Sequence, residues 1–220
     1  MDPEAESQLC LGLLEETITK GVDGPVAAIM MEPIQGNGGH IEFPRSYYKG
    51  VREICDRLGV LMIFDEVQTG FGRMGTMWAA DYYDITPDII VFGKGVGGGF
   101  PLAGIAANSR LKWFDEGEEA LTFGHFPVSL AAGYATVEAI VADKLCEKAR
   151  LAGEYATGRL LEMQKRHPLI GDVRCPGLMV SIELVKDRVT KEPACREAQE
   201  VYRLGVERAK VLARALRCHP

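Results

Sequence analysis

The chain has 220 residues, 47% hydrophobic and 25% charged, a balance that suits an ordinary globular protein with one sizeable core. Its formal net charge of −6 leaves no basic footprint for nucleic acid, and no apolar run approaches the roughly 18 residues of a membrane span. With an acidic start at Met1-Asp-Pro-Glu4, the reverse of a signal peptide, the expectation is a cytoplasmic protein with neither nucleic acid nor membrane as partner. The cysteines at 10, 55, 146, 175, 195 and 218 are dispersed without a Cys-x-x-Cys pair. They read as reduced thiols, and no metal centre is expected.

Helix and strand patterns alternate along the chain. Residues 4–19 carry a helical pattern with Leu9, Leu13 and Leu14 on one side. Val26 to Glu32 reads as a buried strand, followed by a turn at Gly36-Asn-Gly-Gly39. Arg45 to Leu58 predicts an amphipathic helix, with Gly59 as its left-handed stop. A strand over 60–65, a glycine-rich loop and a short helix near 76–83 follow. Strand 88–92, a loop carrying Lys94 and strand 102–107 complete the visible sheet. Such alternation predicts an α/β fold with a largely parallel sheet flanked by helices. Ser129 to Ala142 and Leu145 to Arg166 predict two long helices. Beyond them Gly177 to Val185 predicts a strand, and a helix starts near Ala194. The division this suggests is a partial large domain over 1–150 and part of a small α+β domain over 151–220.

Chemistry concentrates at two strand ends. The run Val60-Leu-Met-Ile-Phe-Asp65 delivers an acid at its carboxyl end, and Asp88-Ile-Ile-Val-Phe-Gly-Lys94 delivers an amine just past its own. Both begin as continuous apolar runs, the pattern of strands buried on both faces. Ligands of open α/β sheets sit outside the carboxyl ends of the strands. Pyridoxal phosphate (PLP) requires this pair, a lysine for a Schiff base and an acid at its pyridine nitrogen. The competing readings are an aspartate that merely caps a turn and a lysine that faces solvent or binds phosphate non-covalently. A P-loop fails because Lys94 is followed by Gly95 and the leading glycine is missing. A dinucleotide fingerprint fails because Gly95 to Gly99 leads into Phe100-Pro101 and a strand rather than a helix.

Three blocks, "VAAIMMEPIQGNGG", "LMIFDEVQTGFGRMG" and "PDIIVFGKGVGGGFPLAG", carry a family resemblance over about residues 20–185. Taken together they resemble the class III (omega) aminotransferases of the PLP fold-type I superfamily. The resemblance implies PLP as cofactor, with Lys94 as its Schiff-base lysine and Asp65 at the ring nitrogen. It implies that Val67 packs on the ring and that Gln68 reaches the ring hydroxyl. Thr122 in "LTFGHFP" would bind the cofactor phosphate of the neighbouring subunit, so the assembly implied is a homodimer with shared sites. Glu32 would gate a substrate-binding arginine, the alternative being a solvated or capping charge. His125, beside Thr122, is either a further site residue or a structural one.

The implied reaction is transamination, in which an amine or amino acid gives its amino group to an oxo acid. The same lysine–aspartate pair serves racemases, decarboxylases and phospho-lyases of the family. The sequence "FGHFPVS", where many transaminases of the family have "GGNP", keeps those outcomes open. The pattern departs from the family at both ends. A phosphate loop and a ring-stacking aromatic residue are expected upstream and do not occur in residues 1–25. The tail keeps a basic helical pattern (Arg203, Arg208, Lys210, Arg214, Arg217) where glycine-led strands and a carboxylate-binding arginine are expected. The expectation is therefore a fragment of a longer enzyme, against the alternative of a non-catalytic remnant.

Overall fold

A computed structural model describes residues 2–111, 115, 118 and 121–209. Lys210, Arg214, Arg217 and Cys218 lie outside the described residues, so the basic tail pattern is placed only as far as Arg208. Helix α1 (Pro3–Glu16) opens with proline at its start and Glu4 and Glu6 in its first turn, where acidic side chains favour the helix dipole. Its inward stripe is Ser7, Leu11 and Leu14, at helical spacing, and Leu11, Leu14 and, in the turn that follows, Ile18 pack on the core. The predicted stripe is thereby corrected: Leu9 and Leu13 are 58% and 55% exposed. A leucine-rich helix offers several apolar faces, and docking against α2 selects the one where Leu11 lies over Gly50.

Helix α2 spans Arg45–Leu58 and stops at Gly59 with φ 67°, as its pattern predicts. The predicted strands appear as β1 (Ala28–Met31), β4 (Leu61–Asp65), β5 (Ile89–Phe92) and β6 (Gly104–Ala107). They form one sheet in the order β1-β4-β5-β6, with two parallel pairings and an antiparallel β5–β6. The mostly parallel α/β sheet is thus as expected. The two runs read as buried on both faces, β4 and β5, are the inner strands and have no exposed residue, whereas Met30 on β1 and Ile105 on β6, the outer strands, are 57% and 41% exposed. The turn at residues 36–39 closes a short antiparallel hairpin, β2 (Ile34–Gln35) with β3 (Ile41–Glu42).

The main core gathers Tyr48, Val51 and Cys55 of α2, Met62 and Phe64 of β4, and Ala79 and Tyr83 of α3 (Ala79–Tyr83). Full burial of side chains such as Phe64 contributes about 1.5–3 kcal/mol each. Helices α4 (Pro127–Ala142) and α5 (Leu145–Arg166) follow, the second with its predicted bounds. A second antiparallel pair, β7 (Ile170–Arg174) with β8 (Ser181–Leu184), was half foreseen, since only one strand is legible in the pattern. β7 reads Ile-Gly-Asp-Val-Arg, too polar to announce itself. Helix α6 covers Cys195–Leu204. The hairpin docks by close backbone contact: a Cβ on Gly153 of α5 would stand 2.1 Å from the Gly177 carbonyl oxygen, so α5 and the β7–β8 connection meet only without a side chain there.

Cys10, Cys55, Cys146 and Cys175 are free thiols, but Cys195 is disulfide-bonded, against the expectation of six reduced thiols. Sequence spacing carries no information on which sulfurs the fold brings together. Among the described residues no helix is long and apolar enough to cross a membrane.

One buried carboxylate ties the sheet to its covering helix. Asp88, 2% exposed, accepts hydrogen bonds from the Met62 backbone N–H at 2.8 Å and from Arg52 at 2.9 Å, and also from Arg110. Burial alone would raise its pKa; the Met62 N–H and the two guanidinium groups outweigh this and hold it below the usual carboxylate range. A depressed folded-state pKa stabilises fully above the unfolded value of about 3.9 and is lost as pH falls through the folded value. Asp88→Asn is expected to cost about 3 kcal/mol in urea denaturation at neutral pH, because Arg52 is left without its buried counter-charge. The acid-side loss of stability should be shallower in that variant.

Candidate active site

The register of two parallel strands brings the candidate residues to one edge. Asp65 pairs with Val91, and the Glu66 N–H donates to the Val91 carbonyl at 2.8 Å. β5 then has one residue left, Phe92, before Gly93 and Lys94. The acid and the amine therefore leave neighbouring strands on the same side, as the two apolar runs predict. Lys94 itself begins a short 3-10 turn with φ 47°, a left-handed conformation costing a non-glycine residue about 1–2 kcal/mol. Strain of this kind concentrates where a side chain must be aimed.

Lys94 Nζ donates to Gln68 Oε1 at 2.9 Å. Gln68 is in turn backed by the β2–β3 turn: a Cβ on Gly36 would stand 2.6 Å from Gln68 Oε1, so any side chain there would push the Gln68 amide aside. Asp65 Oδ1 accepts the Val67 N–H at 3.0 Å, and its other oxygen has no partner among the described residues. Val67, Gln68 and Lys94 line one cavity of about 920 Å3, within the size range of small-molecule sites. Asp65 is not among its lining residues; it stands two positions before Val67 at the end of β4.

Glu32, Thr122 and His125 also lie outside this lining. Glu32 lines a separate cavity of about 400 Å3 with Met31, Phe43 and Tyr47, and its carboxylate accepts the Gly36 N–H at 2.9 Å. In this structure it closes the turn, which is the capping alternative. Thr122 and His125 are exposed and absent from the lining of the Lys94 cavity. Sequence reasoning missed His40, Arg73, Lys148 and the stretch Leu178–Val180, all of which line that cavity. Arg73 falls inside the quoted "GFGRMG" block and His40 follows the glycine turn, so both had a positional signal. Lys148 had none, because a charged residue on a helix reads as a solvated face. The His40 imidazole is pushed below its usual pKa range by burial and by the Arg174 charge, and its Nδ1 is buried without a hydrogen-bond partner among the described residues.

Glu66, next to Asp65, points the other way, as strand alternation requires. It is 1% exposed and accepts the N–H groups of Ala79 and Ala80, both at 2.8 Å, and the Thr69 hydroxyl at 2.7 Å. It therefore caps the start of α3 and fixes the return of the loop that follows β4. Burial raises its pKa, opposed by those same donors.

The family model for aminotransferase class-III matches residues 2–215. The chain belongs to the class III aminotransferases. This class III chain is 44% identical over 169 residues to the acetylornithine aminotransferase of Methanosarcina mazei, covering 77% of itself and 42% of that protein. It is 37% identical over 194 residues to the alanine/serine racemase of Pyrococcus horikoshii, covering 87% of itself and 41% of the racemase. In structure it resembles an amine transaminase from an uncultivated Pseudomonas species in a PLP-bound internal aldimine form. The TM-score there is 0.88 at 34% identity, over 98% of this chain and 51% of that one. The chain thus spans about half the length, or less, of the proteins it matches.

The two acids should separate cleanly on substitution. Glu66→Ala leaves two buried N–H groups and a hydroxyl without acceptors and should lower stability by about 2–4 kcal/mol. Asp65→Asn keeps an acceptor for the Val67 N–H and should stay within about 1 kcal/mol of the parent. Urea denaturation of both variants checks the pair.

Proposed function

We propose that this chain carries the lysine-bearing part of a PLP-dependent transaminase site, which moves an amino group from an amine or amino acid to an oxo acid. The observation that carries the reading is the Lys94–Gln68 contact facing an open cavity, with Asp65 delivered beside it by the β4–β5 register. The donor set fits the cofactor. The Lys94 amine meets a neutral amide rather than a carboxylate, and the second oxygen of Asp65 is uncommitted among the described residues.

When bound, PLP supplies an electron sink for charge developing at the substrate's α-carbon. Lys94 would hold the cofactor covalently and would serve as the base that takes and returns the substrate's α-proton. Asp65 would face the ring nitrogen and favour its protonated form, because an adjacent opposite charge stabilises the charged state. Val67 gives an apolar surface for the ring and Gln68 orients the lysine amine and a ring substituent. Glu32 is proposed as a residue that closes the turn in the present arrangement and turns toward substrate in the whole protein.

The whole protein is proposed to be a cytoplasmic homodimer. Thr122 and Phe123 fit that reading: both are exposed, Phe123 by 81%, on a segment that does not reach the cavity of its own chain. Such a segment is suited to serve a neighbour. We also propose the division near residue 150, with the sheet and its helices before it and the β7–β8 pair after it. Racemisation is the second reading, favoured by the similarity to the alanine/serine racemase. The two differ in where Lys94 returns the proton, so product analysis with a single amino acid and no oxo acid separates them.

Incubating the chain with PLP, reducing with borohydride and mapping peptides by mass spectrometry should place the label on Lys94. Lys94→Ala should remove it, and label on a different lysine would overturn the assignment. In the whole protein, loss of the base alone should lower turnover by about 10²–10⁴-fold.

A further inference from the structure

The hairpin β7–β8 reaches back to the candidate site through one side chain. Arg174, 21% exposed, donates from Nε to the His40 carbonyl and from Nη2 to the Gly39 carbonyl, each at 3.1 Å. Its Nη1 is held by Asp172 and, at 2.9 Å, by Glu183, two acids that are register partners across β7 and β8. The Ser181 hydroxyl lies 3.5 Å from the same Gly39 carbonyl. The two carbonyls belong to consecutive left-handed residues, Gly39 at φ 118° and His40 at φ 53°. A planar guanidinium with donors in a fixed fork can hold two adjacent carbonyls and two carboxylates together, as a lysine ammonium cannot.

The turn so clamped is the one that backs Gln68. The Gly39 and His40 N–H groups both contact the Gly36 carbonyl at 3.4 Å, and the Gly36 Cα packs against the Gln68 amide that receives Lys94. We propose that Arg174 is a positioning residue for Lys94, acting through the turn at residues 36–40 and Gln68. It couples the β7–β8 hairpin to the aim of the reactive amine. This rests on the reading of Lys94 as the PLP-binding lysine.

The test uses the full chain, with borohydride-trapped PLP on Lys94 measured against trapping on Lys20, a surface lysine that is 74% exposed. In the parent, Lys94 should be labelled preferentially; equal labelling of the two would overturn the functional reading itself. Given that preference, Arg174→Ala should lower it about tenfold, and Arg174→Lys should restore only part of it. In a Gln68→Ala background the further effect of Arg174→Ala should shrink to less than about twofold, because the two residues act in one chain of contacts. A general loss of packing would instead give additive effects. Hydrogen exchange should show faster amides at 36–40 in Arg174→Lys, a variant that keeps the charge, with circular dichroism checking that the fold is retained. An unchanged Lys94 preference, or additive effects in the double variant, would overturn the proposal.

Discussion

The site depends on one pairing, the parallel register in which Asp65 stands opposite Val91. Parallel strands run their carboxyl ends to the same edge, so a residue ending β4 and a residue just past β5 must emerge together. A slip of one residue would turn Asp65 toward the face that Glu66 now occupies and would bury the wrong acid. The Glu66 N–H to Val91 hydrogen bond extends the ladder one step beyond the strand and secures that choice. Neighbouring acids consequently take opposite tasks. One, at the carboxyl end of β4, leaves an oxygen without a partner among the described residues, while the other spends its acceptors on the start of α3.

Buried charge holds the register from the other end of the strands. Asp88 precedes β5 and accepts from Met62 on β4 and from Arg52 on α2, so one carboxylate joins two strands and a helix. Its desolvation is compensated by several donors, the condition under which a buried ion pair does not destabilise. In the core the aromatic rings of Tyr48, Phe64 and Tyr83 pack edge-on and tilted, with the Tyr48 and Tyr83 centroids 4.1 Å apart.

The β7–β8 pair acts on the site only through contacts distant in sequence. Gly177 meets Gly153 and the backbone at Met74, and Leu178 donates to the Arg73 carbonyl at 2.8 Å. These contacts bring Leu178, Met179 and Val180 to the wall of the Lys94 cavity. Arg174 adds the polar half of the same junction. The cavity is thus shaped by a segment some eighty residues beyond the lysine it encloses, an offset read directly from the residue numbers.

The sequence by itself determined the alternation of helix and strand, the ends of α2 and α5, and the delivery of Asp65 and Lys94 by neighbouring strands to one side of the sheet. Those follow from local rules: apolar runs, glycine stops, and an acid and an amine at strand ends. The family blocks made the chemical assignment specific. Tertiary structure decided the buried face of α1, because Leu9 and Leu13 lose to Leu11 only when α2 is in place. It decided that β1 and β6 are edges, since edge status is a property of the sheet order and not of a strand. It set Glu32 on the Gly36 N–H, and drew His40, Arg73 and Lys148 to the cavity of Lys94. Each of these depends on contacts between segments far apart in the chain, whose distances no periodicity or spacing encodes.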